Sequence, residues 1–143
     1  MNRKLPSAST TSQGFREPLP DLIARLRIRH SFFRRETVEA RLFELDQYGC
    51  VFKTDKVFEP GDTVAFDLIM AMPFDSIRAN ALQGLVVERT KHCSNFFYAI
   101  DFIDKGHSSG ADLKEKLERI RDVLEKKKSL RSRRTGQSFS SLA

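Results

Sequence analysis

The strongest structural signal in this chain lies in residues 82–102, LQGLVVERTKHCSNFFYAIDF. Residues 96–102 (FFYAIDF) place a large apolar side chain at every second position, which is the period of a strand with one buried face. The preceding residues belong to a longer apolar segment, 77–90, in which Gly84 predicts a kink or a bulge. Residues 91–95 (KHCSN) turn the chain, so the whole segment predicts an antiparallel β-hairpin.

Four further strands are predicted upstream of this hairpin, at residues 25–29, 37–45, 50–54 and 63–70. Within the second of them the apolar positions change phase after Leu42, because Phe43 and Leu45 follow it as the next apolar residues, and this change predicts a bulge or bend. Residues 46–49 (DQYG) and 59–62 (EPGD) are turn sequences between these strands. The upstream chain therefore predicts short strands joined by tight turns.

A different periodicity begins near residue 112, where the apolar residues are Leu113, Leu117, Ile120 and Leu124. Their spacing of four, three and four predicts an amphipathic helix that ends near residue 128. Six strands followed by one helix predict an all-β core, either a small barrel or a sandwich. We expect a six-stranded antiparallel β-barrel with a C-terminal helix, because closure removes exposed strand edges. The apolar stripe predicts that the helix lies on a barrel face or across its mouth.

The chain has 143 residues, which is the length of one domain. Residues 1–15 are rich in Ser and Thr and predict a flexible N-terminal arm, residues 16–128 predict the barrel with its helix, and residues 129–143 predict a basic disordered tail. Residues 1–113 carry fifteen basic and fifteen acidic side chains, whereas residues 114–143 carry ten and four. The positive surplus therefore lies at the C-terminal end, and a chain-wide basic nucleic-acid binder is disfavoured.

The cysteine and histidine content argues against a disulfide framework and a metal centre. Cys50 and Cys93 are too few for several bridges, and the three histidines are not spaced as zinc ligands. The pair His92–Cys93 is interpreted as part of a hairpin turn. No apolar run reaches about 18 residues, and the N-terminal residues contain no apolar stretch typical of a signal peptide, so we expect a cytoplasmic protein without a transmembrane segment.

Two patterns bear on catalysis and nucleic-acid binding. Glu44 and Asp46 alternate on one strand face and could form a carboxylate pair for acid–base chemistry, but nothing beside them indicates a substrate cleft. We therefore expect no enzyme and no catalytic residue. Residues 32–35 (FFRR) set aromatic rings beside arginines, as single-strand nucleic-acid binders of the OB-fold do. The electrically balanced body makes a partly buried hairpin with solvated arginines the preferred interpretation.

The order of these features resembles the PilZ domain family over residues 16–128. The similar segments are ARLFELDQYGCVF (40–52), FEPGDTVAFDLIM (58–70) and LQGLVVERTKHCSNFFYAIDF (82–102), and a closing helix follows them. The resemblance implies a six-stranded antiparallel barrel that acts in bacterial signalling, with cyclic di-GMP as the candidate ligand. In that family an Arg-x-x-x-Arg motif grips phosphate, and an Asp/Asn-x-Ser-x-x-Gly turn binds a guanine edge.

The resemblance assigns ligand-binding roles to four residues of this chain. Arg16 would contact phosphate, Glu44 and Asp46 would contact the guanine edge, and Gly49 would permit the turn. Pro20 stands where the second arginine is expected, so the Arg-x-x-x-Arg motif is missing there. Two carboxylates would also face a doubly negative ligand, and like charges about 4 Å apart near a protein surface repel by roughly 4 kcal/mol.

Two basic segments offer alternative sites. Arg25 and Arg29 satisfy Arg-x-x-x-Arg and form a candidate shifted motif, although a solvated strand face is the preferred interpretation of their alternation within a strand. The residues of the basic C-terminal segment are Lys126, Lys127, Lys128, Arg131, Arg133 and Arg134. They could bind an acidic partner, a nucleic acid or an anionic membrane surface, or simply complement the helix dipole and keep the chain soluble.

These observations predict a non-enzymatic, cytoplasmic, PilZ-like signalling module, a cyclic di-GMP receptor or adaptor whose own ligand binding is weakened by its altered motifs. The alternative is a ligand-independent protein–protein adaptor of the same fold. An OB-like nucleic-acid binder is the least favoured interpretation. We expect no cofactor other than the candidate ligand cyclic di-GMP, and we expect a protein partner.

Overall fold

The computed structural model of the chain describes residues 17–29, 33–103 and 110–142, with the side chains of the last range from 112 to 130. The elements in chain order are β1 (Leu22–Arg29), β2 (Arg35–Leu45), β3 (Gly49–Thr54), β4 (Thr63–Ala71), β5 (Ser76–His92), β6 (Asn95–Phe102) and α1 (Gly110–Leu142). The predicted N-terminal arm, residues 1–15, lies outside the described residues.

The six strands close into one barrel in the order β1-β2-β3-β6-β5-β4, and every neighbouring pair is antiparallel. The prediction of a six-stranded antiparallel barrel followed by a helix is therefore confirmed. The barrel closes where β1 pairs with β4, so that Leu26 lies between Val38 of β2 and Phe66 of β4.

The alternating apolar residues of all six strands fill the barrel interior. Phe52, Phe66 and Tyr98 are fully buried there, and Phe52 packs against both of the other rings at centroid distances of 6.1 and 5.9 Å. Cys50 is also fully buried and fills space as a small apolar residue. Packing of these interlocked side chains fixes the strand register and hence the position of every outward-facing residue.

Bulges interrupt the strand pairing at three places. The register shift between Leu42 and Glu44 confirms the bulge predicted from the change of phase in β2. In β5 the shifts lie opposite Phe66–Leu68 and between Val86 and Glu88, so the prediction of a bulge at Gly84 is wrong in position. Gly84 is regularly paired, and its role is close packing, because an added Cβ would lie 2.2 Å from Cγ2 of Ile100.

The helix α1 packs one apolar stripe against the barrel. Leu117, Ile120 and Leu124 are buried in the main core, and Lys127 Nζ lies 2.5 Å from Asp21 Oδ2 at the start of β1. The helix therefore lies at the barrel end where β1 begins.

The helix also runs to Leu142, beyond the predicted end near residue 128 and through the segment predicted to be disordered. Residues 129–142 contain no proline and a single glycine, so no strong helix breaker ends it at residue 128. Among the described residues, no helix is long and apolar enough to span a membrane.

Candidate functional site

The turn between β2 and β3 holds the residues that the family resemblance assigned to a guanine edge. Oδ1 of Asp46 accepts hydrogen bonds from the backbone N–H groups of Tyr48 and Gly49, at 2.7 and 2.9 Å. The Asp46 N–H donates to the Gly49 carbonyl at 3.0 Å, and the Phe102 N–H donates to the Tyr48 carbonyl at 2.8 Å. The carboxylate of Asp46 therefore stabilises its own turn, as an aspartate in an Asx-turn does.

A groove of about 560 Å³, which we call the helix-side groove, lies between this turn and α1. Its charged lining residues are Glu44, Asp46, Glu118, Asp122 and Glu125 on the acidic side, and Arg121 and Lys128 on the basic side. The surplus of carboxylates gives this groove a negative field. Glu44 and Asp46 thus line one groove, together with acids from the helix that the sequence did not connect with them.

Of the residues proposed to bind phosphate, the two that the structure describes, Arg25 and Arg29, lie away from this turn. Arg16 lies outside the described residues. Arg25 NH2 lies 3.8 Å from Glu39 Oε2 on the neighbouring strand, and Arg29 pairs in register with Arg35, at the opposite end of β2 from the turn. The geometry favours the solvated strand face over a shifted motif.

The lysines of the basic C-terminal segment differ in their contacts. Lys127 is paired with Asp21, Lys128 lines the helix-side groove, and Lys126 is exposed. Arg131, Arg133 and Arg134 lie on the helix backbone, but their side chains are outside the described part of the chain. A partner-binding role for this segment stays a prediction.

A second concavity, the strand-side groove, lies on the outer surface of β2, β3, β5 and β6 and measures about 450 Å³. Its lining residues are Pro18, Arg41, Phe43, Lys53, His92, Asn95 and Phe97. Among the described residues its lining is basic and aromatic and contains no carboxylate. Sequence reasoning missed this site, although the change of phase at Phe43 was a signal that a large ring leaves the barrel interior there.

The rings of the strand-side groove pack on one another. Phe43 meets Phe97 edge to face at a centroid distance of 5.0 Å, and the His92 ring lies 5.5 Å from the Phe97 ring. Lys53 Nζ lies 5.3 Å from the Phe97 centroid, within the range of a cation–π contact. Val51 and Ala99 are fully buried beneath these rings, in a small apolar cluster separate from the main core.

The β5–β6 hairpin contains the His92–Cys93 pair. Cys93 is exposed and has a φ of 57°, which is turn geometry, and the prediction of a hairpin turn is confirmed. Among the described residues, no three His, Cys, Asp or Glu side chains are placed to hold a metal ion.

A buried tyrosine ties the loop between β3 and β4 to the barrel. The Tyr98 hydroxyl donates to the Lys56 carbonyl at 2.6 Å and accepts from the Phe58 N–H at 2.9 Å. Burial raises the pKa of Tyr98 above its ordinary value, and the Phe58 hydrogen bond and nearby Arg89 oppose that rise. This residue holds the loop and lies on the opposite face of β6 from Phe97.

Comparison with known proteins relates the fold to solved structures. No protein-family model and no curated protein matches the chain. The PilZ domain of Escherichia coli YcgR, solved with cyclic di-GMP, aligns at a TM-score of 0.57 and 13% identity, over 79% of this chain and 88% of that domain. MrkH of K. pneumoniae, in its apo state, aligns at 0.54 and 15% identity over 91% of this chain, which spans 55% of that protein. The chain is similar to these proteins in fold, and its barrel with closing helix is the fold of a PilZ domain.

Proposed function

We propose that this chain is a cytoplasmic, non-enzymatic signalling module of bacteria, built on the PilZ fold, that acts by binding another protein. The observation that carries the proposal is the hydrogen bonding and the charge of the β2–β3 turn. The Asp46 carboxylate accepts hydrogen bonds from the N–H groups of Tyr48 and Gly49, and the groove beside it is lined by acids. A turn that is internally hydrogen-bonded and borders an acidic groove is suited to contact with a basic protein segment.

The electrostatics of the helix-side groove favour a positively charged partner. Five carboxylates and two cations line the groove. Each additional like charge about 4 Å away would repel an anionic ligand by roughly 4 kcal/mol before screening by salt. The same field attracts lysine and arginine side chains and speeds their association.

Exposed aromatic rings at the same end of the barrel support a protein interface. Tyr48, in the β2–β3 turn, is 69% exposed, and Phe74, in the β4–β5 turn, is completely exposed. Both turns lie at the end where β1 begins, because Leu22 pairs with Met70 and Ile23 pairs with Arg41. Aromatic side chains are enriched among the residues that dominate protein–protein binding energies.

A capture experiment tests this proposal. The full chain is used as bait in extract of its native host, beside the charge-reversed variant Glu118→Lys/Asp122→Lys and the control Glu115→Lys, which changes an exposed acid outside the groove lining. We expect a partner that the wild type and the control retain and that the groove variant loses. A partner set that is identical for all three baits, or no specific partner for any of them, would overturn the proposal.

Direct cyclic di-GMP binding is the second candidate function. It is favoured by the glycine turn at Gly49 and by the likeness to a PilZ domain solved with that ligand. Isothermal titration of the chain with cyclic di-GMP tests it. We expect no heat up to high micromolar ligand, whereas binding that is weakened by Glu44→Ala or Asp46→Ala would establish the receptor function instead.

A further inference from the structure

We infer that the first part of β2, residues 35–40, binds the same segment of a second copy of this chain, so that two barrels join through an antiparallel pair of β2 strands. We call this segment the β2 edge. The inference goes beyond the proposed protein-binding function and does not depend on it, because the β2 edge lies at the opposite end of β2 from the turn that borders the helix-side groove.

The stagger of the barrel strands leaves the β2 edge with one neighbour. β1 pairs with β2 from Arg35 to Arg41, whereas β3 pairs with β2 only from Arg41 onward. In the part of the chain that the structure describes, residues 35–40 therefore have a strand on one side only. Such an edge presents backbone N–H and C=O groups at the spacing that another strand can bond.

The exposed side chains of the β2 edge are complementary to themselves. Arg35, Thr37 and Glu39 are all exposed and share one face of β2, because they occupy every second position. An antiparallel pair centred on Thr37 sets each Arg35 opposite Glu39 of the other copy, and the two threonines meet at the two-fold axis. Opposite charges and threonine pairs directly across neighbouring strands stabilise a sheet. This symmetry favours a second copy over an unrelated peptide.

Both charges of the β2 edge can accept a further partner. Arg35 lies opposite Arg29 of β1, and like charges in that arrangement repel. Within the described residues, Arg35 has no carboxylate at ion-pair distance. The Glu39 side chain is 63% exposed and its Oε2 lies 3.8 Å from Arg25 NH2, near the outer limit of an ion pair. A second guanidinium can therefore reach Glu39, and a carboxylate beside Arg35 offsets its repulsion by Arg29.

The other strand segment with one neighbour does not match itself in this way. Residues 88–92 of β5 extend past the start of β4. Antiparallel pairing of this segment about Thr90 would set Arg89 opposite Lys91 of a second copy, and these like charges repel. Arg89 also has a carboxylate already, because its NH1 lies 3.1 Å from Oε1 of Glu59. The distribution of charge therefore selects the β2 edge.

Disulfide trapping tests the centre of the pairing. Cys93→Ser removes the exposed native thiol, and Cys50 is buried. In this background Thr37→Cys should form a cross-linked dimer on mild oxidation, because opposite residues of antiparallel strands have Cα atoms about 4.5 to 5.5 Å apart, within the range of a disulfide. Glu115→Cys, at an exposed position of α1, reports the level of cross-linking by chance collision.

Two further cysteine variants test the register. Arg35→Cys and Glu39→Cys should cross-link when they are mixed, because these positions lie opposite each other in the inferred pair. Neither should cross-link with itself, because two copies of residue 35, or of residue 39, would lie about 13 Å apart along the strands.

Charge exchange tests the energetics, measured by sedimentation of the full chain up to millimolar concentration, since a contact this short should be weak. Arg35→Glu and Glu39→Arg should each weaken self-association about tenfold or more, because each sets like charges opposite each other twice in the symmetric pair. The combined variant Arg35→Glu/Glu39→Arg should restore the wild-type association. Arg78→Glu, at an exposed position of β5 away from the β2 edge, should leave it unchanged.

Three outcomes would overturn the inference: a wild-type chain that stays monomeric at millimolar concentration, cross-linking of Thr37→Cys no greater than that of Glu115→Cys, or a combined charge exchange that fails to restore association. A foreign protein captured by wild type and lost by the Arg35→Glu bait, without self-association, would assign the β2 edge to another partner and would also overturn it. The Arg35→Glu bait should retain any partner of the helix-side groove. Failure of this inference is therefore distinguishable from failure of the proposed protein-binding function.

Discussion

The two grooves lie on either side of one ring, Phe43, and they carry opposite charge. The helix-side groove is lined by five carboxylates and two cations, whereas the described lining of the strand-side groove holds Arg41, Lys53 and His92 and no acid. Neither the balanced charge of residues 1–113 nor the positive surplus of residues 114–143 reveals this separation. The contrast shows that the fold, and not the composition, sets the chemistry of each surface.

The bulge in β2 places Glu44 on the outer surface of the barrel. A regular strand would place residues 41 and 43 on one face and residues 42 and 44 on the other. Because the register shifts between Leu42 and Glu44, Glu44 instead pairs with Val51, which lies in the outer apolar cluster with Phe43 and Phe97. The extra residue therefore adds a carboxylate to a surface from which a regular strand would turn it away.

The largest expected effect comes from truncating Ile120, which anchors α1 to the barrel; α1 forms one wall of the helix-side groove. Ile120 is fully buried in the main core, so Ile120→Ala should lower the free energy of unfolding by about 2 to 5 kcal/mol. Urea denaturation followed by circular dichroism measures this loss. Glu115→Ala, at an exposed position of the same helix, should change it by less than about 0.5 kcal/mol. Equal stability of the two variants would show that α1 does not cover the barrel end.

The next largest effect concerns Tyr98, whose loss should lower stability without changing binding at either groove. Tyr98→Phe removes the hydroxyl that satisfies the Lys56 carbonyl and the Phe58 N–H. We expect a loss of about 1 to 3 kcal/mol in the free energy of unfolding, because two loop groups lose their partner. Ligand or partner binding at the grooves should stay unchanged. A loss of groove function together with stability would mean that the β3–β4 loop contributes to a site.

The same tyrosine predicts a loss of stability at high pH. Burial raises the pKa of Tyr98 in the folded chain, so the native state holds this proton more tightly than the unfolded state. The resulting stabilisation is complete below the unfolded pKa of about 10 and is lost as the pH rises toward the folded value. Wild type should therefore lose more stability between pH 9 and pH 11 than Tyr98→Phe. Tyr48→Phe, which removes the exposed hydroxyl of the other tyrosine, is the matched control.

The smallest effect concerns the β2–β3 turn, which borders the helix-side groove. Asp46→Ala removes the acceptor of the Tyr48 and Gly49 N–H groups and should cost about 1 kcal/mol. Asp46→Asn should retain most of the stability, because its side-chain oxygen can accept the same bonds, and Gln47→Ala is the matched neighbour control. Thermal unfolding should show a midpoint lowered by about 4 °C for Asp46→Ala alone. If Asp46→Ala has no effect, the carboxylate is available to a ligand after all.

The strands could be predicted because apolar and polar side chains alternate along each of them, as a strand with one buried face requires. The register break at Leu42–Glu44 was visible for the same reason, since a bulge reverses the order of apolar and polar residues. The positions of the bulges in β5 could not be predicted from the sequence. Ala81 adopts a φ of 60° while its N–H donates to Asp67 Oδ1 at 2.8 Å, a contact between residues fourteen positions apart.

The strand-side groove could not be predicted for a related reason. Arg41, Lys53, His92 and Phe97 come from four different strands, and no short motif joins them. The family resemblance directed attention to Glu44 and Asp46 in one turn, where contiguous residues form a readable pattern. Knowledge of barrel register was needed to see that Arg41 faces Lys53.

Closure of the sheet has a consequence for how any protein partner can attach. Each of the six strands already has a hydrogen-bonded neighbour on both sides. Where both neighbours pair, a bound peptide has no edge to join as a further strand, which is the route of main-chain recognition used by many open sheets. The exceptions in the strand register are strand portions that extend past one neighbour, such as residues 35–40 of β2 and 88–92 of β5. Around the closed part of the barrel, recognition depends on side chains presented by turns, grooves and the helix, and so on the identity of the partner's residues rather than on its backbone.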